Sequence, residues 1–276
     1  MKTRLPLLAP LALLVLAHSS FAADIAYEVD GQPRLRAPAA PEKLNNPWPD
    51  SLEKEFWKRA NTSIQAYEGQ GYGSTFFESE KRSYPIAMMD FLAGNRENAL
   101  KFLQAEDADA KRWHGHTEGI DLFPSFTLKA QMRKYFYFGP FLDSAYRARM
   151  KKAFGKLTDK DPFRRPHPAF KGSGNGWTPE VMNSWVDVRA TDNLRFMRDT
   201  SVYLMAEESG NKDVRDLYRE KLIEHVRAMY TIGMGEWDSE NYLGHSFEPW
   251  LNLYDFAKDE QVRLLAKGAL DWISAA

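Results

Sequence analysis

The chain of 276 residues contains no cysteine, which excludes disulfides, thiolate nucleophiles and thiolate metal sites. It has no surplus of either charge, with 37 Lys and Arg against 38 Asp and Glu. Nucleic acid as the main partner is therefore not expected, because that role calls for a basic stripe. Beyond the first two dozen residues, no run approaches the roughly 20 apolar residues needed to span a membrane. Sustained alternation of period two is also missing, which argues against sheets as the organising layer.

What is present begins with MKTRLPLLAPLALLVLAHSSFAA. Lys2 and Arg4 precede an apolar run from Leu5 to Ala17, and Ser20 and Ala22 occupy the −3 and −1 positions of a cleavage site. This is the pattern of a secretory signal peptide over 1–22, and it predicts a bacterial periplasmic or secreted protein. Removing it takes away two cations and no acid, moving the formal charge from −1 to −3. Residues 23–49, rich in proline and polar side chains, read as a low-order lead-in. Without disulfides, the remaining chain depends on a large core. Aromatics make up 13% of the sequence, and most of these rings are expected in that core; the remainder suit the apolar faces of sugars.

From Asp50 onward the apolar period is helical. Asp50 and Glu53 form a capping-box pattern, followed by a stripe of Leu52, Phe56, Ala60, Ile64 and Tyr67. Three further stripes follow. The first is Leu194, Met197, Ser201, Leu204 and Met205. The second is Val214, Leu217, Tyr218, Leu222, Val226 and Met229, and the third is Val262, Leu265, Ala266, Ala269, Leu270 and Ile273. DFLAGNRENALKFL (90–103), AEESGNKDVRDLY (206–218) and YDFAKDEQVRLLA (254–266) share one turn pattern, and FGPFLDSAYRARM (138–150) is a looser copy. In each, a helix runs out into small and polar residues, and Asn or Asp caps the next. Repetition at about fifty residues predicts an all-α fold of stacked α-hairpins. The long connections 108–124, 157–190 and 231–248 favour an α/α toroid over an open solenoid. A six-hairpin toroid exceeds the available length, so the domain 50–276 is expected to be incomplete. The apolar face of the last helix, Trp272 included, is then expected to need cover, with self-association as one way to supply it.

Three clusters carry chemistry. In GMGEWDSENYLGH (233–245), Glu236 and Asp238 flank Trp237, and Tyr242 and His245 precede Pro249, which suits the first turn of a helix. Ser239 or Asp238 capping a turn, and Trp237 plugging the core, are the structural alternatives. In WHGHTEGIDLF (113–123), His114, His116, Glu118 and Asp121 are metal-ligand types, but H-x-H lacks a third well-spaced histidine; helix capping, substrate contact or proton transfer by His116 are the other readings. Neither metal nor cofactor is expected. In NSWVDVRATDNLRFMRD (183–199), Asp192, Arg195 and Asp199 share a face that a surface ion-pair ladder explains, whereas Asn193 sits at a predicted inner-helix entrance.

GWTPEVMNSWVDVRATDNLRFMRDTSVYLMAEESGN together with GMGEWDSENYLGHSFEPWLNLYDFAKDEQVRLLAKGALDWI resembles a group of secreted bacterial proteins. That group is related to the α/α-toroid polysaccharide lyases, heparinase- and alginate lyase-like, and to six-hairpin glycosidases. The resemblance covers roughly 110–276. It implies an Asn, a His, a Tyr and an Arg or Glu around a uronic acid, roles that Asn193, His116 or His245, Tyr242 and Arg198 can fill. The β-sandwich that follows the toroid in those lyases has no counterpart here. The expected function is β-elimination on an acidic polysaccharide or oligosaccharide, with Tyr242, His245, His116 and Glu236 catalytic. Asn193, Arg198, Trp237, Glu118 and Asp121 are the expected substrate contacts. Hydrolysis by Glu236 with Glu118 or Asp121, or non-catalytic glycan binding, are the alternatives.

Overall fold

The structure, a computed structural model, describes residues 25–29, 32–35, 50–69, 71–72, 80–107, 117–122, 126–160, 191–237 and 239–275. The signal sequence, His114, His116, Asp238 and the Pro- and Gly-rich segment 161–190 lie outside the described residues. Nine α-helices account for most of what is described: α1 Asp50–Gln65, α2 Glu80–Ala93, α3 Arg96–Leu103, α4 Phe126–Phe136, α5 Ser144–Leu157, α6 Asp192–Ser209, α7 Lys212–Ile232, α8 Glu240–Phe256 and α9 Glu260–Ala275. One short antiparallel pair, β1 Ile25–Val29 and β2 Gln32–Leu35, lies within the stretch expected to be a lead-in. No described helix is long and apolar enough to cross a membrane.

All four turns that the sequence repeats join or open helices, but their polar residues divide by chemistry. Asp143 caps α5, its Oδ1 accepting from the amides of Ala145 and Tyr146 at 2.9 and 3.1 Å. Asp259 likewise accepts from the amide of Gln261 at 2.8 Å. The two asparagines, expected to cap, do not. Asn95 donates back to Asp90 Oδ1 at 2.7 Å, and Asn211 donates to Ser209 Oγ at 2.9 Å and to Thr158 at the end of α5. An amide can donate where a carboxylate cannot, and these two tie a turn to its neighbour. Gly210 closes α6 with φ +82°, and the amide of Asn211 returns to the Ala206 carbonyl at 2.9 Å, the left-handed stop that glycine makes without steric cost.

Helices α2, α4, α6 and α8 form one layer, in which α2 packs on α4, α4 on α6, and α6 on α8. Outside them, α3 packs on α2, α5 on α6, α7 on α6, and α9 on both α7 and α8. Thirteen of the eighteen residues of α6 are buried, as expected of a helix enclosed on all sides. Because α4 also touches α8, the interior between them is filled with side chains. Trp250, Tyr203, Tyr218, Phe154 and Phe196 are fully enclosed, with Phe196 and Trp250 ring centroids 5.2 Å apart. Among the described aromatics these rings belong to the core, whereas Phe56, Tyr230, Trp237 and Tyr242 are exposed.

With nine of its eleven residues buried, α4 has to satisfy most of its polar side chains internally. Lys129 pairs with Glu248 of α8 and its carbonyl accepts from Asn252 at 2.9 Å, while Arg133 meets Asp255 at 2.8 Å. These pairs set the register of α4 against α8.

One expectation fails. Leu52 and Phe56 of α1 are 48% and 54% exposed; only Ile64 of that stripe is buried, because among the described helices α1 packs chiefly on α2. On α9, Val262, Ala266, Ala269 and Ile273 are buried against α7 and α8, so most of the face expected to need cover is covered within this chain. Self-association through it is not shown.

Candidate functional site

Helices α4, α6 and α8 begin at one end of the array. Phe126 opens α4, and Leu194 and Met197 lie in the first turns of α6; the three form one buried cluster. His245, in the first half of α8, sets its ring edgewise on Phe126 at 4.7 Å. The α7–α8 connection joins the same end, since the amide of Gly235 donates to Asp192 Oδ2 at 2.6 Å. Residues 117–122 reach Asp107, Gln131 of α4 and Lys152 and Lys156 of α5, so among the described residues the two clusters are not brought together.

The first cluster is half loop and half helix. The loop closes at Ser239, whose Oγ caps α8 by accepting from the amide of Tyr242 at 3.3 Å. Pro249 therefore lies deep inside α8 rather than in its first turn, where it removes the amide that would otherwise reach the His245 carbonyl. Tyr242 is 37% exposed, with its ring 6.2 Å from that of His245. Trp237, 39% exposed, stands edgewise to Trp272 of α9 at 5.5 Å and so does not plug the core.

Glu236 is the unusual residue of the loop. Its φ of +57° lies in the left-handed region, which costs a non-glycine residue on the order of 1–2 kcal/mol. Its Oε2 is buried and meets no hydrogen-bond donor among the described residues. Burial first, and the charge of Asp192 second, push its carboxyl above the usual range. A carboxyl with a raised folded pKa contributes stability below its unfolded pKa, about 4.3, and loses it as pH rises through the folded value. Glu236→Gln is accordingly expected to melt higher than the wild type at pH 7 and no higher at pH 4. Melting curves at the two pH values check this, and an unchanged difference between them would show that Glu236 is not held neutral by its surroundings.

Beside Glu236 lies a pocket of about 310 Å3 between the start of α6 and the end of α7, whose walls include Asp192, Arg195, Phe196, His225, Met229 and Met234. His225 Nε2 lies 2.7 Å from Asp199 Oδ2, and Arg198 Nε donates to Asp199 Oδ1 at 2.6 Å. Burial alone would raise the Asp199 carboxyl. The charge of Arg198 and the hydrogen bonds from His225 and Arg198 outweigh it and hold Asp199 well below the carboxylate range. An ionised Asp199 can only accept, so His225 donates Nε2–H to it, and in the neutral ring Nδ1 is the nitrogen that carries the lone pair.

The other sequence candidates take structural positions. Asp199, expected on a surface ladder with Asp192 and Arg195, is 1% exposed. Arg198, 3% exposed, is spent on Asp199, and Asn193, 2% exposed, accepts the adjacent Leu194 amide at 2.7 Å. Glu118 stands at φ +58° between Lys156 and Lys152 of α5, the latter at 3.2 Å, and these lysines lower its pKa. Asp121 is enclosed, its amide donating to Asp107 Oδ2 at 2.7 Å and its carbonyl accepting from Gln131 at 2.9 Å. Among the described residues, no group of three or more His, Asp or Glu side chains is arranged to hold a metal ion.

Sequence reasoning missed His225. A signal existed: His225 stands three residues after Leu222 and four before Met229, on the buried stripe of α7. A polar residue on an apolar stripe demands a buried partner, and only the packing of α7 on α6 shows that Asp199 is that partner. Comparison with protein-family models, with curated proteins and with solved structures finds no match, so the function of this site has to be read from its own geometry.

Proposed function

We propose that the chain is an exported polysaccharide-active enzyme that cleaves an acidic glycan by β-elimination in the pocket between α6 and α7. The observation that carries this reading is His225 on the pocket wall, with Nε2 held 2.7 Å from the buried carboxylate of Asp199. That contact orients the ring and favours the imidazolium that forms when it takes a proton. His225 Nδ1 takes the C5 proton beside the uronate carboxylate, and the electron pair becomes the C4–C5 double bond. The C4–O bond breaks, and the leaving oxygen takes its proton from Glu236. Arg195 faces the substrate carboxylate and lowers the cost of its developing charge.

The roles expected for Asn193 and Arg198 pass to Arg195 and His225, because the former pair is enclosed. Tyr242 and Trp237, both partly exposed, offer rings to the flanking sugars. The hairpin array, with α2, α4, α6 and α8 inside, is read as part of an α/α toroid, and export rests on the leader sequence.

Hydrolysis is the second reading. It is favoured by one observation: Glu236, its Oε2 buried without a donor among the described residues, neighbours Asp192, and a pair of carboxyls is what acid and base catalysis of glycoside cleavage requires. Incubating the mature chain with acidic and neutral polysaccharides separates the two. Unsaturated ends absorbing in the ultraviolet mark elimination, and reducing ends without them mark hydrolysis. Under elimination, His225→Gln should lower kcat by about 10²–10⁴-fold with the fold retained. Neither product from any acidic glycan would sink both enzymatic readings.

A further inference from the structure

We propose that the outer face of α5 is a docking stripe for a linear polyanion, an acidic polysaccharide held by several cations at once and by residues other than those of the α6–α7 pocket. The class of polymer rests on the acidic-glycan reading above, whereas the basic surface stands without it. Between 144 and 160 the sequence holds six Lys and Arg and one acid, Asp159, in a chain whose totals are 37 and 38. A concentration of one sign in a balanced chain creates a local attractive field.

Packing turns that bias into a stripe. Tyr146, Met150, Ala153, Phe154 and Leu157 are the buried face of α5, which packs on α6, and Arg149, Lys151, Lys152 and Lys156 are exposed. Arg149, Lys152 and Lys156, spaced by three and four residues, share one face over roughly 10 Å of helix. That is about one Debye length at 0.1 M salt, so these charges act on one polymer together.

Two acids answer the lysines without covering them. Glu118 lies between Lys152, at 3.2 Å, and Lys156, and Glu208 takes Lys151 at 3.3 Å and Lys258 at 2.8 Å. The side chains of Lys151, Lys152 and Lys156 remain 54%, 63% and 52% exposed.

The occupant carries repeated charge, because a single exposed ion pair is worth little in water and linked contacts add. Nucleic acid is disfavoured, since the aromatic residues of α5, Tyr146 and Phe154, are 5% and 0% exposed and offer no base a stacking surface. A lipid surface is disfavoured because Met150 and Leu157 are buried as well, leaving no large apolar side chain of α5 to insert. An acidic polysaccharide asks for neither stacking nor insertion.

Calorimetric titration of the mature wild-type chain with polygalacturonate and polyglucuronate tests this, with dextran, duplex DNA and anionic lipid vesicles as comparisons. At low salt at least one polyuronate should bind saturably and dextran should not, and about 1 M salt, where the screening length is ~3 Å, should abolish the binding. Arg149→Gln/Lys152→Gln/Lys156→Gln should weaken it about tenfold or more. Lys54→Gln/Lys58→Gln/Arg59→Gln, an equal loss of charge at exposed positions of α1, should leave it within about twofold. Glu118→Gln should tighten it, a change that a damaged fold cannot imitate. The proposal is overturned by a lack of salt-sensitive binding to either polyuronate, by equal losses in the two triple variants, or by DNA or vesicles held through α5 as tightly as the polyuronate. Polyuronate binding that depends on the α5 cations but yields no unsaturated product removes elimination and keeps the stripe. Unsaturated product with polymer binding undiminished in the α5 triple variant does the reverse.

Discussion

Asp199→Asn is expected to cost about 3–5 kcal/mol of folding stability at pH 7, the range for removing one partner from a buried ion pair. Asp199 is 1% exposed, and Arg198, at 3%, is enclosed with it. An asparagine removes the negative charge that Arg198 Nε reaches at 2.6 Å and gives His225 Nε2 an amide in place of a carboxylate. Urea denaturation measures the loss, and its pH dependence identifies the cause. The folded pKa of Asp199 is depressed, so its contribution is fully present above the unfolded value, about 3.9, and disappears as pH falls through the folded value. The gap between wild type and variant should hold from pH 7 to about pH 5 and shrink in stronger acid. A loss under about 1 kcal/mol at pH 7 would place Asp199 in the class of surface pairs and contradict the buried contact.

The same substitution probes the chemistry. If His225 is the base, an asparagine that donates to Nε2 holds the ring in the wrong tautomer, an effect worth as much as ~10⁴-fold in kcat when a buried aspartate is neutralised behind a catalytic histidine. The folded fraction of the variant, known from the denaturation curve, separates this loss from unfolding.

Asp107→Ala is the second large expectation, at about 3–5 kcal/mol. Asp107, 3% exposed, gathers three donors: the Tyr84 hydroxyl, the Asp121 amide at 2.7 Å and Gln131 Nε2 at 2.8 Å. Each buried donor left without its acceptor costs roughly 1–3 kcal/mol, reduced here because Gln131 Nε2 keeps its bond to the Asp121 carbonyl at 2.9 Å. The consequence is local as well as global. Asp107 joins α2, through Tyr84, to the segment that enters α4, so amide exchange at Asp121 should accelerate beyond what the lower global stability explains. Asp121 exchange that merely follows global unfolding would show that this carboxylate does not organise the approach to α4.

The repeated turns were legible in the sequence because helix starts and stops are local. A glycine in the left-handed region, an aspartate ahead of an apolar stripe and the period of that stripe act within about one turn of helix. The stripes of α6, α7 and α9 were legible for the same reason, and Glu236 and Trp237 stood out because a short loop dense in reactive side chains is unusual. Local signals reached their limit where two chemically similar residues had different partners. Asn95 and Asn211 occupy the same motif position as Asp259, yet bond back to side chains preceding the turn. Leu52 and Phe56 have the period of a buried face, but only neighbouring elements decide whether a face is covered. Asp192, Arg195 and Asp199 were indistinguishable as a ladder along one helix.

What the sequence by itself determined was therefore that the chain is helical, where its repeated turns stop one helix and start the next, most of the buried stripes of α6, α7 and α9, and which loop was chemically dense. The tertiary structure alone decided that His225 meets Asp199 across 26 residues of chain, that Asp192 holds Gly235, and that Arg198 and Asn193 face inward. The reason is physical: helix formation depends on hydrogen bonds four residues apart, whereas a charged pair between helices depends on their rotation and register, which are set by packing the whole of both faces at once.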